Sequence, residues 1–267
     1  MENLILLKLG GSLITDKTKP FTTRPDVIKR LAGEIYEARQ EKEKLKLIIG
    51  HGGGSFPHKP AKDYRTDLGV IDKESFKGIA AVQDAAANLN RIVVDSLIEA
   101  GENAISFNPS SSVIAEESII KHWYLEPMKM MLRYNLLPVV YGDVVIDVRR
   151  GCSIISTEEI LNFLSRDLDS KRIILVGITD GVFDKDPNKY PDAKLIPEIN
   201  PKNYLQVREY LGGSAGIDIT GGMLHKVDQM FVLTKFGIES EIINGEKEGF
   251  LKRALLGERG LGTVIKA

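Results

Sequence analysis

The chain has 267 residues, of which 43% are apolar and 27% are charged, and its 36 Lys and Arg residues nearly balance 37 Asp and Glu residues, for a net charge of -1. This composition is typical of a globular protein and excludes the collagen-like and disordered classes. A balanced charge gives no general attraction to nucleic acid or to a membrane surface. We therefore expect neither as a partner, and any anion site must be local.

A single cysteine, Cys152, excludes an internal disulfide framework and favours a reducing compartment. The first residues lack the positive segment of a secretory signal, and no apolar run approaches the roughly 18 residues of a membrane span. We therefore expect a cytoplasmic protein.

Short apolar runs alternate with segments of helical periodicity along the chain. The predicted strands are Leu4–Leu9, Leu47–Gly50, Ala104–Phe107, Pro138–Tyr141, Val144–Val148, Ile173–Val176, Ser240–Ile243 and Thr263–Ile265. The predicted helices are Pro25–Lys42, Ser75–Ala100, Ile119–Tyr134, Thr157–Leu168, Asn203–Leu211 and Met223–Phe236. This alternation predicts an α/β fold with an open, mostly parallel sheet and helices on both faces.

No internal repeat or low-complexity linker divides the chain. Residues 184–201 carry prolines at positions 187, 191, 197 and 201, and we expect them to form a structured surface excursion. The prediction is one domain over residues 1–267, with an N-terminal lobe of about residues 1–170 and a C-terminal lobe of about residues 171–267.

The first glycine-rich turn, Lys8-Leu9-Gly10-Gly11-Ser12, directly follows the first predicted strand. Ligands of parallel sheets lie beyond the carboxyl ends of strands, and glycines let backbone N–H groups approach an anion closely. Lys8 adds a positive charge. The turn is therefore a candidate phosphate site, with an ordinary tight turn beside a surface lysine as the alternative.

A second turn, Gly50-His51-Gly52-Gly53-Gly54-Ser55, also follows a strand. Three consecutive glycines are entropically costly, so the close approach of a ligand is favoured over a plain turn. The sequence matches neither the P-loop nor the dinucleotide-binding pattern, which disfavours a Rossmann dehydrogenase. His58 follows the turn and can donate a hydrogen bond to phosphate near neutral pH, although a purely structural histidine is the alternative.

A third turn, Asp218-Ile219-Thr220-Gly221-Gly222, runs into a predicted helix that carries Lys226. Helix N-termini bind anions, although an ordinary helix entry is the alternative. Thr179-Asp180-Gly181 is by itself only a turn signal. Ser156-Thr157-Glu158-Glu159 matches a capping box, for which a structural role suffices.

Together these turns, with Lys8, Lys17, His58 and Lys226, suit two phosphate-bearing ligands that meet head to head. Phosphoryl transfer needs mainly positioning and charge neutralisation. No convincing general base accompanies the turns, which would be a weakness for an alcohol acceptor. A phosphate monoester has a second pKa of about 6 and is already a nucleophilic dianion near pH 7. The pattern therefore favours a phosphate acceptor.

On these residues the chain resembles the amino acid kinase superfamily and, within it, the isopentenyl phosphate kinase family. The resemblance runs from Lys8 to Glu258 and is most specific at Gly52–Phe56 with His58, at Tyr141–Val145 and at the third turn with Lys226. It implies the amino acid kinase αβα sandwich and ATP-dependent phosphorylation of isopentenyl phosphate to isopentenyl diphosphate, in the alternative mevalonate route of isoprenoid biosynthesis. It also implies Mg²⁺ as a cofactor and a homodimer.

The resemblance further implies a role for individual positions. The implied catalytic residues are Lys8, Lys17, His58 and Lys226. The implied ATP contacts are Lys8, Gly10, Gly11, Ser12, Gly54, Thr179, Asp180, Gly221, Gly222 and Lys226. The implied acceptor contacts are Gly53, Gly54, His58 and Thr157, and no residue is assigned as a metal ligand. Separately, the apolar stripe of the long helix is expected to hold the acceptor tail through Ile79, Val82 and Ala86, with core packing as the alternative.

Two positions depart from the family pattern. Thr157 stands where the family commonly has a glycine that contacts substrate, and Gly177-Ile178 replaces the first two residues of the family's T-D-V-D-G-V. Two alternative functions stay open: a related small-molecule kinase, such as a fosfomycin kinase or another phosphomonoester kinase, and a non-catalytic nucleotide- or oxyanion-binding protein on the same fold. An acylamino-acid kinase and an aspartokinase are disfavoured.

Overall fold

The structure is a computed structural model that describes residues 4–212 and 222–267. Its strands are β1 (Leu4–Leu9), β2 (Lys46–His51), β3 (Ala104–Ser106), β4 (Val113–Glu116), β5 (Ile119–Trp123), β6 (Leu137–Tyr141), β7 (Asp143–Asp147), β8 (Gly151–Ile155), β9 (Arg172–Gly177), β10 (Val182–Phe183), β11 (Leu195–Ile196), β12 (Glu198–Ile199), β13 (Glu239–Asn244) and β14 (Gly262–Ile265). Its α-helices are α1 (Gly11–Ile14), α2 (Pro25–Glu41), α3 (His58–Asp63), α4 (Glu74–Glu99), α5 (Glu126–Arg133), α6 (Thr157–Asp167), α7 (Tyr204–Gly212), α8 (Met223–Leu233) and α9 (Phe250–Leu256).

One large sheet organises the molecule, with the strand order β12-β14-β13-β9-β1-β2-β6-β3. Its neighbouring strands run parallel except for β13 and β14, which pair antiparallel. The open, mostly parallel sheet predicted from the sequence is therefore confirmed. None of the helices within the described ranges is both long and apolar enough to cross a membrane.

Strand β1 shows why helices cover both faces of this sheet. All of its side chains are buried, and successive side chains of a strand point to opposite faces. Leu7 and Leu9 join a core shared with α2, α4 and α9, whereas Leu4 and Leu6 join a second core shared with α5, α6, α7 and α8. Two apolar layers against one sheet make the predicted αβα sandwich.

The prediction of a helix over Ile119–Tyr134 is wrong in its first part. Ile119–Trp123 forms β5, which belongs to a separate four-stranded sheet with the order β5-β4-β7-β8. Helix α5 begins only at Glu126, with Pro127 in its first turn, where the missing N–H of proline costs nothing. Residues 184–201 do form a structured excursion, in which β11 pairs with β10 and β12 adds to the edge of the large sheet.

Candidate active site

The first two predicted glycine turns meet at one edge of the large sheet. Strands β9, β1, β2 and β6 are neighbours there, and each ends in a glycine-containing turn at its carboxyl end. Backbone bonds tie the turns together: Gly10 N–H donates to Val176 O at 2.8 Å, and Gly52 N–H donates to Leu9 O at 2.9 Å. A cleft of about 950 Å³ opens above them. Its position matches the rule that ligands of open parallel sheets bind beyond the carboxyl ends of strands.

Most of the predicted site residues line this cleft. They are Lys8, Gly10, Gly11, Ser12, Lys17, Gly53, Gly54, His58, Thr157, Thr179 and Lys226. Gly222 caps α8 next to Met223, which does line the cleft. Gly221 lies outside the described residues, as do the residues of the third turn that precede it. Asp180, Ile79, Val82 and Ala86 are described but do not line the cleft.

The first two glycine turns pack against each other, backbone on backbone. A Cβ on Gly11 would lie only 2.7 Å from the Cα of Gly54, and a Cβ on Gly52 only 2.8 Å from the nitrogen of Gly11. Gly54 also has φ of +55°, which favours glycine. From the sequence, these glycines are explained by the close approach of a ligand to the backbone. The structure adds a second cause, because any side chain here would force the two turns apart.

The hydroxyl of Thr15 connects the same two turns. Thr15 Oγ1 accepts a hydrogen bond from Ser55 N–H at 3.0 Å and donates one to Gly11 O at 2.8 Å. Ser55 Oγ in turn accepts from Thr22 N–H at 3.3 Å. The loop that carries Lys17 is therefore fastened to both glycine turns.

Glu158 is the functional candidate that sequence reasoning missed. Its carboxylate lies 2.5 Å from Lys8 Nζ, and the two side chains are only 13% and 9% exposed. Burial alone would raise the pKa of Glu158, but the charges of Lys8 and Lys226 hold it below its usual value. The carboxylate therefore stays ionised between two lysines that line the cleft.

The capping box explains why Glu158 gave no signal. Ser156 Oγ accepts from Glu159 N–H at 3.1 Å, as the S-x-x-E pattern predicts. That motif explains residues 156 and 159. Glu158 is then explained as an acidic residue in the first turn, which interacts favourably with the helix dipole. Only its position beside Lys8, 150 residues away in sequence, shows the second role.

His58 begins α3 at the exposed rim of the cleft. Partial burial of the ring, together with the charge of nearby Lys17, lowers the pKa of His58 below its usual value of 6.5. Without a ligand the imidazole is therefore largely neutral at pH 7. A bound phosphate would act in the opposite direction, because a nearby negative charge favours the protonated ring.

Thr157 stands where the family pattern has a glycine, and its side chain binds and packs against the end of β2. Its hydroxyl donates to His51 O at 2.7 Å, and the residue is only 2% exposed. A Cβ on Gly50 would lie 2.7 Å from Thr157 Cγ2, so the threonine methyl occupies space that Gly50 leaves. This side chain therefore fixes the end of β2.

Asp180 is partly exposed and bound to its own neighbours, whereas the predicted tail residues pack away from the cleft surface. Asp180 Oδ1 accepts from Asn244 Nδ2 at 2.8 Å and pairs with Lys247 at 2.8 Å, and the latter contact lowers the pKa of Asp180. Ile79 and Val82 join a small apolar cluster with Val144, Cys152, Val70 and Ala61, whereas Ala86 is simply buried. Ala61 belongs to this cluster and lines the cleft, so the other members of the cluster lie behind Ala61.

Comparison with known proteins shows the family to which this chain belongs. Residues 3–244 match the model of the amino acid kinase family, and the chain belongs to that family. It is similar to the isopentenyl phosphate kinase of Methanothermobacter thermautotrophicus, at 38% identity with 98% of each chain covered. It is likewise similar to the isopentenyl phosphate kinase of Methanocaldococcus jannaschii, at 36% identity with 96% of each chain covered.

A solved structure confirms the fold. The X-ray structure of an isopentenyl phosphate kinase superimposes with a TM-score of 0.83 at 36% identity, covering 98% of this chain and 100% of that chain. The family resemblance and the fold class predicted from the sequence are both confirmed.

Proposed function

We propose that this chain is a phosphotransferase that moves the γ-phosphoryl group of ATP to isopentenyl phosphate, giving isopentenyl diphosphate and ADP. One observation carries the proposal: two glycine turns from neighbouring strands pack together at Gly11 and Gly54, beneath one cleft. Lys8 and Lys226 line that cleft, and so does His58. The similarity to isopentenyl phosphate kinases over nearly the whole chain supports the choice of acceptor.

The two ligands are proposed to divide the cleft between the two lobes. ATP would bind the C-terminal lobe, of about residues 171–267, through Thr179, Gly222 and Lys226, with its phosphates reaching the Gly10–Ser12 turn. The acceptor phosphate would bind the N-terminal lobe, of about residues 1–170, at Gly53 and His58. Asp180 is proposed to act indirectly, since Asn244 and Lys247 already engage its carboxylate.

In the proposed step an oxygen of the acceptor phosphate attacks the γ-phosphorus of ATP. A new P–O bond forms as the bond to the β–γ bridging oxygen breaks, and ADP leaves with that electron pair. The acceptor dianion needs no general base, because its second pKa is about 6. Lys8, Lys17 and Lys226 supply positive charge where negative charge accumulates, and Glu158 holds Lys8 in place.

Mg²⁺ is proposed to arrive bound to the phosphates of ATP. Within residues 4–212 and 222–267, no group of three or more His, Cys, Asp or Glu side chains is placed to hold a metal ion. Mg²⁺ is commonly held through substrate phosphates with few protein ligands, and there it neutralises phosphate charge. The residues of the cleft suit that arrangement better than a protein-bound metal centre.

Steady-state kinetics with a panel of acceptors tests the function. We expect kcat/KM with ATP and Mg²⁺ to be highest for isopentenyl phosphate, when compared with dimethylallyl phosphate, fosfomycin and N-acetylglutamate. A clear preference for fosfomycin or N-acetylglutamate would replace the assignment by a related kinase. Nucleotide binding without ADP release for any acceptor would indicate the non-catalytic alternative. The homodimer and the cytoplasmic location stay predictions, and sedimentation velocity tests the first.

A further inference from the structure

His51 is a buried titratable residue that the proposed phosphoryl transfer does not use. It ends β2 directly before the glycine triplet, is 1% exposed, and is not among the described residues that line the cleft. Its ring stacks on Tyr141 with 5.5 Å between ring centroids and an interplanar angle of 14°. An imidazole in this position lies against the turn proposed to bind the acceptor phosphate.

The hydrogen bonds of the ring define which nitrogen carries the proton. Asn90 Nδ2 lies 3.1 Å from His51 Nε2, and an amide nitrogen can only donate, so Nε2 is the acceptor. The other end of the Asn90 amide, Oδ1, lies 2.5 Å from the hydroxyl of Ser106. Burial, assisted by the charge of Lys8, lowers the pKa of His51 to about 4, so the ring is neutral at pH 7. A neutral ring that accepts at Nε2 carries its proton on Nδ1.

That proton points at the glycine triplet. His51 Nδ1 lies 3.2 Å from the carbonyl oxygen of Gly52, so the ring donates to this oxygen. In a planar trans peptide the carbonyl of one residue and the N–H of the next point in opposite directions. The Gly52 carbonyl faces the buried ring, and therefore the N–H of Gly53 faces away from it. Gly52 and Gly53 both line the cleft, whereas His51 does not.

This peptide joins two glycines and needs an external restraint. Without a Cβ on either side, the Gly52–Gly53 peptide can rotate between orientations that other residues could not adopt. A rotated peptide would present a carbonyl oxygen to the cleft, which would repel a phosphate. The contact from His51 opposes that rotation.

We propose that His51, held in its Nδ1-protonated form by Asn90, is a positioning residue that keeps the N–H of Gly53 directed at the acceptor phosphate. The proposal rests on the proposed function for the identity of that anion. It assigns His51 a role through Gly53, without contact to substrate. It also gives a role to Asn90, a buried polar side chain beneath the turn.

The tautomer can be measured on the unaltered protein. The experiment is ¹⁵N NMR of protein labelled at histidine, at pH 7, with the His51 signals identified as those missing from the His51→Phe variant. We expect a neutral ring with Nδ1 protonated and Nε2 unprotonated. A ring protonated at Nε2, alone or together with Nδ1, would overturn the proposal whether or not the protein phosphorylates isopentenyl phosphate.

Kinetics tests the positioning role itself. His51→Phe keeps an aromatic ring against Tyr141 but removes the donor, and we expect the KM for isopentenyl phosphate to rise about tenfold to a hundredfold, as for the loss of a hydrogen bond to a charged group. The KM for ATP should stay within about twofold. His51→Asn, which keeps a short side-chain donor, should recover much of the loss, and His122→Phe, at an exposed histidine on β5, is the matched control.

Two kinetic outcomes would overturn the role: an unchanged acceptor KM in His51→Phe, or equal increases in both KM values. Either result would leave turnover of isopentenyl phosphate by the parent protein intact. A parent protein without that turnover would instead reject the proposed function, and the NMR measurement would still decide the state of His51.

Discussion

The ammonium of Lys8, at the centre of the large sheet, lies 2.5 Å from the carboxylate of Glu158 at the start of α6. Both side chains are nearly buried, so each charge is compensated mainly by the other. Lys8 also lines the cleft, where it would meet the phosphates of ATP. The ion pair therefore holds a long, flexible side chain in one direction before any substrate arrives.

Glu158→Gln tests that restraint. The amide keeps the shape of the side chain and removes its charge, so Lys8 loses its counter-ion but keeps a hydrogen-bond acceptor. We expect kcat to fall about tenfold to a hundredfold because a misplaced group near the reacting atoms is costly. Glu159→Gln, one residue further along the same helix turn, should keep the parental kcat. Parental kcat in Glu158→Gln, measured at saturating ATP and acceptor, would remove Glu158 from the site.

Alanine at Lys226 should reduce catalysis far more than stability, whereas alanine at Lys8 should reduce both, because it leaves the nearly buried carboxylate of Glu158 without its counter-ion. Each ammonium is expected to neutralise charge that develops on the transferring phosphoryl group, and removal of such a donor typically costs about 2–4 kcal/mol of transition-state stabilisation. The measurement is kcat alongside a thermal melt for each variant. Variants that keep both the parental activity and the parental melting temperature would contradict the assigned role.

His58→Ala should raise the KM for the acceptor and lower kcat while the KM for ATP changes little, and His58→Gln, which keeps a donor, should lose less.

The pH dependence of the acceptor KM tests the contact between His58 and the acceptor phosphate more specifically. In the free protein the pKa of His58 lies below 6.5, and a bound dianion would raise that pKa, so the complex takes up protons. The acceptor KM of His58→Gln divided by that of the parent should therefore be largest at low pH. The ratio should fall as pH rises from the pKa of His58 in the free protein to its higher pKa in the complex. Since the acceptor's own ionisation cancels in the ratio, a ratio independent of pH would contradict the contact.

Val82→Ala should extend the acceptor range toward longer prenyl phosphates. Val82 packs beside Ala61, which lines the cleft, so a smaller side chain there deepens the space behind the cleft wall. Val94→Ala is the matched control, because both valines lie on α4, both are 1% exposed, and Val94 belongs to a different core cluster. Each variant should lose about 2 kcal/mol of unfolding free energy from its cavity. A chain-length profile of Val82→Ala identical to that of Val94→Ala would leave Val82 with core packing only.

Two buried groups near the second glycine turn should affect stability with opposite signs between about pH 4 and pH 6.5. Burial lowers the pKa of His51 to about 4, so the unfolded chain binds the extra proton and stability rises with pH. Burial raises the pKa of Asp143 to about 6, although Ser110 and Val144 donate to its carboxylate, so the folded chain binds the extra proton and stability falls with pH.

The two variants separate these effects. Relative to the parent, the unfolding free energy of His51→Phe should fall by about 2 kcal/mol more between pH 4.5 and pH 6.5, and that of Asp143→Asn should rise by a similar amount. Urea unfolding at both pH values provides the measurement, with the parent protein as the reference. Variants whose pH slopes match that of the parent would contradict the buried, shifted state of these groups.

Local sequence predicted most of the large sheet, because strands such as β1 and β9 are apolar runs that end in glycine turns. It failed at Ile119–Trp123, where nothing local distinguishes a strand from the helix that follows. That strand pairs with the preceding β4 in a hairpin closed by Glu117 and Ser118, both at positive φ. Neither residue is the glycine or asparagine that typically marks such a turn, so the hairpin had no local signature. Lys8 and the first two glycine turns could also be predicted, because they lie at or directly after apolar strands in the sequence. Glu158 could not, because a capping box accounts for its segment and its partner lies 150 residues away.

The backbone contact between Gly11 and Gly54 also limits how such a protein can diverge. No substitution at either glycine can be accommodated unless the opposite turn moves, so the spacing between the two proposed phosphate sites is decided when the chain folds rather than when substrates arrive. Changes behind Ala61 meet no such restriction, since that wall is built of ordinary apolar side chains. We therefore expect descendants of this sequence to acquire new acceptors through changes behind Ala61, with both glycine turns kept.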